Sequence, residues 1–503
     1  MILLFCFFSF LYAYFFQGGG WNQNSQFDAI RAIVERGTTE ITAFARNTGD
    51  VGVLKDRIYS NKPPGLALVG TPFYFALYHL ERKLGISTDA FWPVNINAHL
   101  LTFFTSGLPG VVLLLVLYLH FRRKGATVYE SLCLAGAFGI GSLLLPYSGV
   151  MMNHLLTACL LFAAWHIISA ANLRWKMALV AGLATGMATI TDSLSAPAAA
   201  LFLLYVLRKR ADVVVPFLIG SGLMAGVLAA HNYLSFGSML INNQSIQSDL
   251  FKSQGQLFGI LGWPEPIKLF WLTVHPFRGL FYCCPLLVLS LLSLRPFRVR
   301  QIALETSIPL LVVAYHLMFN MSFNGWTGGW GVGPRYLIAS LPFWYSFSLG
   351  GFRRFPRISY SLMIISAGIM LCVTAVQVMI PGPNEGPPPP SNSIADSFGQ
   401  LAAGKVSVSV QGMLDYVPSH SPKEEWDSYN VGELLGLPGL LSLAPISLAI
   451  VVFGFLVHST KRDFQPVGIP LHRKSVTKKR ESEGVPLRPG PPSGRQRQRP
   501  SRE

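Results

Sequence analysis

The sequence predicts an all-α polytopic membrane protein with about twelve transmembrane helices, and three observations carry that expectation. Of 503 residues, 51% are apolar and only 13% charged, with a mean hydropathy of +0.42; an ordinary soluble domain carries about 25% charged residues. Apolar runs of membrane length recur from one end of the chain to the other. Lys and Arg gather on every second connection between those runs, which is how cytosolic loops are marked.

Taken in order, the apolar runs lie at about 1–16, 93–120, 127–146, 154–171, 177–190, 194–207, 213–230, 278–294, 306–320, 336–351, 359–380 and 436–457. Residues 1–16, MILLFCFFSFLYAYFF, have neither a basic start nor a small-residue cleavage site, and read as a retained first span. The basic connections are FRRKG at 121–125, NLRWK at 172–176, RKR at 208–210, RPFRVR at 295–300 and RRFPR at 353–357. Placing these in the cytosol puts both termini there too. The connections 17–92, 147–153, 190–194, 231–277, 321–335 and 381–435 then face outward. The segment 65–80, GLALVGTPFYFALYHL, is read as an interfacial or re-entrant helix, because counting it as a span would reverse every later loop.

One transmembrane domain, 1–457, is therefore expected, with an outer loop at 17–92 and a second at 381–435. The latter opens with PGPNEGPPPPSNS, which prevents regular structure and leaves a small cap or a partly disordered stretch. The tail 458–503 is basic and too polar to build a core, so a disordered cytosolic tail drawn to anionic lipid is expected. The net charge of +16 follows from these loops and the tail, with no need for a nucleic-acid partner. Six cysteines, all in apolar stretches, have no spacing that implies disulfides or zinc, and are read as packing residues.

Charge is expensive in a bilayer, so the informative polar residues are those at the outward ends of spans. Asp28 lies soon after the first span, in WNQNSQFDAIRAIVERG, where Phe27, Ile30, Ala32, Ile33 and Val34 could form the buried side of a short surface helix. One fixed carboxylate can take a proton from an acceptor hydroxyl or amine; equally, an Asp near a helix start can serve the dipole. Lys62 follows Tyr59 and Asn61 and precedes Pro63 and Pro64, which stiffen the backbone beneath it. Its ammonium suits the phosphate of a lipid carrier, or simply snorkels from the interface. Arg335 closes NGWTGGWGVGPRYL, whose glycines allow close approach and whose Trp326 and Trp330 stack on sugars or anchor at the interface. Asn153, His154 and Asp192 occupy short outward turns and read as binding residues or as caps. Asp50 is the reserve carboxylate, while His231, His275 and Arg278 rank lower. No metal motif and no nucleotide-binding loop occurs.

Together, Asp28, YSNKPPG at 59–65, the turn at 146–154, NYLSFGS at 232–238 and GGWGVGPRYL at 328–337 resemble the membrane glycosyltransferases of the dolichyl-phosphate-mannose-protein mannosyltransferase type, which include bacterial aminoarabinose transferases. The resemblance runs over most of residues 1–350. It implies a GT-C fold, a polyprenyl-phosphate-linked sugar as donor, a lipid, glycan or protein as acceptor, and a bacterial inner membrane as location. By the same resemblance Asp28 matches the first-loop carboxylate and Lys62 the lysine that contacts the carrier phosphate. Asn61, and the pair Asn153 and His154, stand where many members carry acids; this argues against a divalent metal, and no other cofactor is implied. The expected reaction is single displacement with inversion, with Asp28 serving the acceptor and Lys62 and Arg335 the departing phosphate. The competing readings are a transporter or lipid flippase, and a non-catalytic carbohydrate-binding subunit kept open by those departures.

Overall fold

The computed structural model describes residues 1–248, 256–257, 259–293, 303–383, 387–389, 392–409 and 428–461. Most of the expected basic tail and the middle of the 381–435 connection lie outside these residues. The chain opens with α1 (Ile2–Tyr12) and β1 (Phe15–Gln17), followed by α2 (Trp21–Arg36), β2 (Val51–Leu54), β3 (Arg57–Ser60) and α3 (Gly65–Lys83). Helices dominate everything after that. Among the described residues, the exceptions to an all-α chain are two small antiparallel pairs, β2 with β3, and β1 with β4 (Ser428–Asn430).

Among the described residues, five helices are long and apolar enough to cross a membrane: Phe91–Arg123, Ala211–Phe236, Leu304–Ser322, Pro356–Val376 and Gly439–Ser459. Ile2–Tyr12, Val128–Gly141 and His154–Ile168 are shorter apolar helices. Trp175–Thr191 and Ala196–Lys209 fill two more of the expected runs, while 278–294 and 336–351 break into short helical pieces that restart at Pro285 and Pro342. Proline lacks the N–H that would continue the preceding turn, so those runs are helical without being single rods.

The apolar surface identifies the solvent. Along Gly439–Ser459, Leu448, Val451 and Phe455 are each at least 65% exposed, and Leu440, Leu441, Val452 and Leu456 also face outward. A contiguous outward apolar face of this kind is larger than soluble monomers ordinarily present to water. Hydrocarbon must cover this face. α3 behaves differently: it carries Pro72, ends in Glu81-Arg82-Lys83, and lies against α2, where Gly70 leaves room for Ile30.

Among the described residues, several contacts join connections of the same expected set. Gln17 donates its backbone N–H to Gly149 O, Asn243 Nδ2 donates to Ser60 O, Asn153 Nδ2 donates to Thr191 O, and Arg335 reaches Met152, so five of the six non-basic connections meet. The sixth joins through β1 and β4. Among the basic connections, Arg353 donates to Gly125 O and pairs with Glu130, and Lys209 pairs with Glu305.

α2 departs from the expected surface helix. Its glycine-rich approach ends at Gly20, where a Cβ would sit 2.7 Å from Met379 Cε, and it closes on Gly37 in the left-handed region (φ 65°), whose N–H donates to Ile33 O. Between these limits Gln23, Asn24, Ser25, Gln26, Phe27, Asp28, Ile30, Arg31 and Ala32 are all buried. The covered face is mostly polar, because the loop 45–61 folds over it. Cys6 is likewise exposed and Cys133 half-buried, so only four of the six cysteines are interior packing residues.

Candidate active site

A hairpin assembles the first part of the site. Lys55 and Asp56 both adopt positive φ (50° and 61°), giving the two-residue turn whose twist matches the flanking strands. The register pairs Val51 with Ser60 and Leu54 with Arg57. Residues 50 and 62, flanking the open end of that ladder, therefore come together. Lys62 Nζ lies 2.9 Å from Asp50 Oδ2, and the Asn61 backbone N–H points to Asp50 O at 3.4 Å. Ser25 of α2 pins the arrangement: its Oγ donates to Asp50 O at 2.7 Å and lies 2.7 Å from Ser60 Oγ.

The segment after Lys62 is held as closely. A Cβ at Gly65 would sit 2.3 Å from Thr191 Oγ1 and 2.6 Å from Thr191 Cα, so only glycine lets the start of α3 touch the end of helix Trp175–Thr191. Asn153 caps that same helix end through Thr191 O at 3.0 Å. Asp192 accepts from Leu194 N at 3.1 Å and caps the next turn. For Asn153 and Asp192 the cap reading is thus what their contacts display. Burial pushes the Asp192 carboxyl up to about 6.

Beside Lys62 stands a group of cations poor in counter-charge. Arg335 makes only long contacts, to Trp330 O and Met152 Sδ at 3.5 Å and Tyr336 Oη at 3.4 Å, and its Nε is buried without a hydrogen-bond partner. Gly328, at φ 76°, would place a Cβ 3.0 Å from Arg335 Cγ and Nε. The glycine-rich loop therefore lies directly on this side chain. Arg278, 1% exposed, donates to the carbonyls of Thr327 and Gly329 and has no carboxylate contact among the described residues. It lies within electrostatic reach of Arg335, and Asp50 within reach of Arg335 as well. His154, between the rings of Tyr147 and Tyr336 (6.0 and 5.8 Å), feels both Lys62 and Arg335, and its Nε2 is buried without a partner.

Asp28 sits on the same polar face of α2, one turn beyond Ser25. It is fully buried; Oδ1 accepts from Asn47 Nδ2 at 3.4 Å and Oδ2 has no hydrogen-bond partner. Burial holds its carboxyl well above the usual carboxylate range, against the opposing influence of Arg31 and Asn47. Arg31 itself is committed to Glu35 (2.7 Å) and to Asp89. Asp28 and Lys62 thus belong to one connected layer, joined through the 47–50 loop, but the carboxylate that touches Lys62 is Asp50.

The remaining candidates divide. Tyr59 is buried edge-on against Phe236 (5.1 Å) and lines a cleft with Lys62. Trp330 is half-buried and offers its carbonyl to Arg335. Trp326 is 1% exposed and stacks on Trp271 at 5.2 Å, in a small cluster with Leu272 and Met321, so its ring is not presented at a surface. Ser25, Asn47 and Ser60, which hold the two carboxylates in place, have no sequence signal beyond their presence in a polar loop. No group of three or more His, Cys, Asp or Glu suited to a metal ion occurs among the described residues.

No protein-family model matches the chain, and a search of the curated proteins finds no match. Among solved structures it is similar to ArnT from Cupriavidus metallidurans bound to undecaprenyl phosphate, with TM-score 0.46 and 13% identity over 92% of this chain and 76% of that one. It is similar to the same protein in the apo state, with TM-score 0.46 and 13% identity over 80% of this chain and 68% of that one. It is also similar to the Archaeoglobus fulgidus oligosaccharyltransferase in the apo form, with TM-score 0.43 and 12% identity over 84% of this chain and 61% of that one.

Proposed function

We propose that this chain is a membrane glycosyltransferase that moves a sugar from a polyprenyl-phosphate-linked donor to an acceptor at the outer face of the membrane. The observation that carries the reading is the set of cations around Lys62 and Arg335. Among the described residues they meet a single carboxylate, Asp50; Arg278 is 1% exposed and Arg335 half-buried, its Nε buried without a partner, and neither touches a carboxylate. A buried guanidinium without a counter-ion is costly unless an anion completes it. A phosphate at the boundary of the apolar surface is such an anion.

In the proposed single displacement, the acceptor oxygen or nitrogen attacks the anomeric carbon as the bond from that carbon to the phosphate oxygen breaks, inverting the centre. The acceptor proton passes to Asp28. The carrier leaves as polyprenyl phosphate, gaining a negative charge that Lys62 and Arg335 offset. Burial suits Asp28 to this work, because it raises the carboxyl well above the usual carboxylate range and a carboxylate of raised pKa is the stronger base. Asp50 holds the Lys62 ammonium in place between turnovers. The outward placement of this layer rests on the basic connections at the opposite set of loops, with both termini on the basic side.

The test is to incubate the purified full-length protein in nanodiscs with polyprenyl-phosphate sugars and acceptor-containing membrane extract, and to measure free polyprenyl phosphate. Its release, lost in Asp28→Asn, supports the transferase. Movement of intact glycolipid between liposome leaflets without release would sink it in favour of a flippase.

A further inference from the structure

One short helix beside the 324–335 loop wears its apolar side outward. Helix Pro266–Thr273 buries Lys268 and Leu272 and turns Ile267, Leu269 and Phe270 away from the protein, each 41–50% exposed. Val274 continues that side, and Trp263, just before the helix, is 91% exposed. The hydroxyl and the ammonium of the segment are satisfied from within. Thr273 Oγ1 donates back to Leu269 O at 2.6 Å, and Lys268 Nζ donates to Phe323 O at 3.1 Å and lies 2.8 Å from Glu265 Oε1. Glu265, at the helix start, is the charge left at the surface between residues 263 and 274.

The helix is tied to the end of a span. Gly262 N–H donates to Ser322 O at 2.8 Å and Glu265 N–H to Met321 O at 3.0 Å, so with Lys268 the segment is held against the end of helix Leu304–Ser322, which is long and apolar enough to cross a membrane. An outward apolar surface at the level where a span ends lies at the boundary between hydrocarbon and water. Eight helical residues cover about 12 Å, well short of the roughly 30 Å of a hydrocarbon core, so this helix cannot cross. An amphipathic helix with a tryptophan beside it suits the headgroup region. Ile267, Leu269, Phe270 and Val274 offer neither charge nor hydrogen bond to the polar rim of a protein partner, and lipid is the occupant they fit.

We infer that helix Pro266–Thr273, with Trp263, is a membrane-surface anchor whose apolar side lies among the headgroups and upper acyl chains of the leaflet nearest Arg335. The inference stands on the multi-pass membrane fold and is independent of the proposed reaction. The opposite side of the helix bears on the glycine-rich loop: Trp271 stacks on Trp326 at 5.2 Å, and the next residue, Thr327, accepts from Arg278. Anchoring the helix thereby sets the depth of that loop against the bilayer.

The experiment photo-cross-links the full-length protein in nanodiscs made with a phosphatidylcholine that carries a diazirine in its upper acyl chain, and maps the adducts by mass spectrometry. Adducts are expected on residues 263–274 and on Gly439–Ser459, whose outward Leu448, Val451 and Phe455 serve as the internal standard. Ile267→Asp combined with Phe270→Asp should lower the adducts on the short helix at least about tenfold relative to that standard, the equivalent of about 1.4 kcal/mol against insertion. Unchanged labelling of Gly439–Ser459 reports that the variant has folded. On the unaltered helix, brominated lipids should quench a component of the tryptophan fluorescence that is missing in Trp263→Phe. Labelling of Gly439–Ser459 with none on 263–274 overturns the anchor, as does quenching that Trp263→Phe leaves unchanged. A segment that lipid does not label and that is also shielded from hydroxyl-radical footprinting would assign the surface to a second protein chain, and the anchor would fall with it.

Discussion

The charged residues at the two sets of connections are built on opposite plans. Among the basic connections one pair shows the satisfied, wet arrangement: Arg353 meets Glu130 bidentately at 2.7 and 2.8 Å with 47% of its side chain exposed, and Glu130 also completes a capping box with Thr127. Around Lys62 the reverse holds. Arg278 is buried against carbonyls, Arg335 is half-buried against a carbonyl and a ring, His154 Nε2 and Asp28 Oδ2 have no hydrogen-bond partner, and one carboxylate serves Lys62. Satisfied charges are what a structure needs for itself. Unsatisfied buried ones are costly unless something compensates them, and that cost is the physical ground of the proposed site.

The largest effect expected from breaking this contrast is at Asp28. Replacing it with Asn keeps shape and removes the base, so release of polyprenyl phosphate should fall roughly 10²–10⁴-fold, read as initial rate under saturating donor. Full activity in that variant would move the role to Asp50. The same substitution carries an opposite expectation for stability. A carboxyl raised in the folded state stabilises fully below its unfolded pKa and loses that contribution as pH rises through its folded value. Asp28 is raised, so at neutral pH Asp28→Asn should melt no earlier than the parent by thermal denaturation in detergent.

Lys62→Ala comes next, with a loss of roughly 10²–10³-fold in donor use, concentrated in the apparent affinity for the carrier. An unchanged carrier affinity would remove Lys62 from the phosphate site. The pH–rate profile sharpens the comparison more gently. Because Asp28 must be ionised to accept a proton, and burial raises it, the acid limb should lie above the ordinary carboxylate range and disappear in whatever residual activity Asp28→Asn retains. A limb at the usual carboxylate position would point to an exposed acid instead. Smallest of all should be Arg353→Ala on the basic side. Exposed pairs contribute about 0–1 kcal/mol, so activity within about twofold and a melting shift of a few degrees at most are expected.

Legibility followed the range of the interactions. α2 and the helical runs were readable because apolar length and glycine punctuation are local properties. Gly37 ends α2 by a backbone requirement that any reader of Arg-Gly-Thr can anticipate. The hairpin was not readable, since its turn uses Lys55-Asp56 in place of the usual Asn-Gly signal. Missing it hid the Asp50–Lys62 contact, which spans twelve positions of sequence. The polar burial of α2 was likewise hidden: Gln26 and Asn24 look like solvent residues until a loop and the segment after residue 231 cover them. Trp326 shows the converse, a residue whose ring could suit a sugar in sequence and whose neighbours are Trp271 and Met321 in space.

By itself the sequence determined that this chain is a multi-pass membrane protein, because the cost of exposing apolar surface acts on each segment without regard to the rest, and the bias of Lys and Arg gave an expectation of which connections share a side. It also marked Asp28, Lys62 and Arg335 as the polar residues to watch. Only the tertiary structure decided which of them touch. Asp28 is buried one turn from the loop it serves, Lys62 is handed to Asp50 by a strand register, and Gln26 faces a cleft with Asn243, more than two hundred residues away. Those pairings depend on loop closure and on glycines at points of close approach such as Gly65, where a single methyl group would clash with Thr191 and unseat the start of α3.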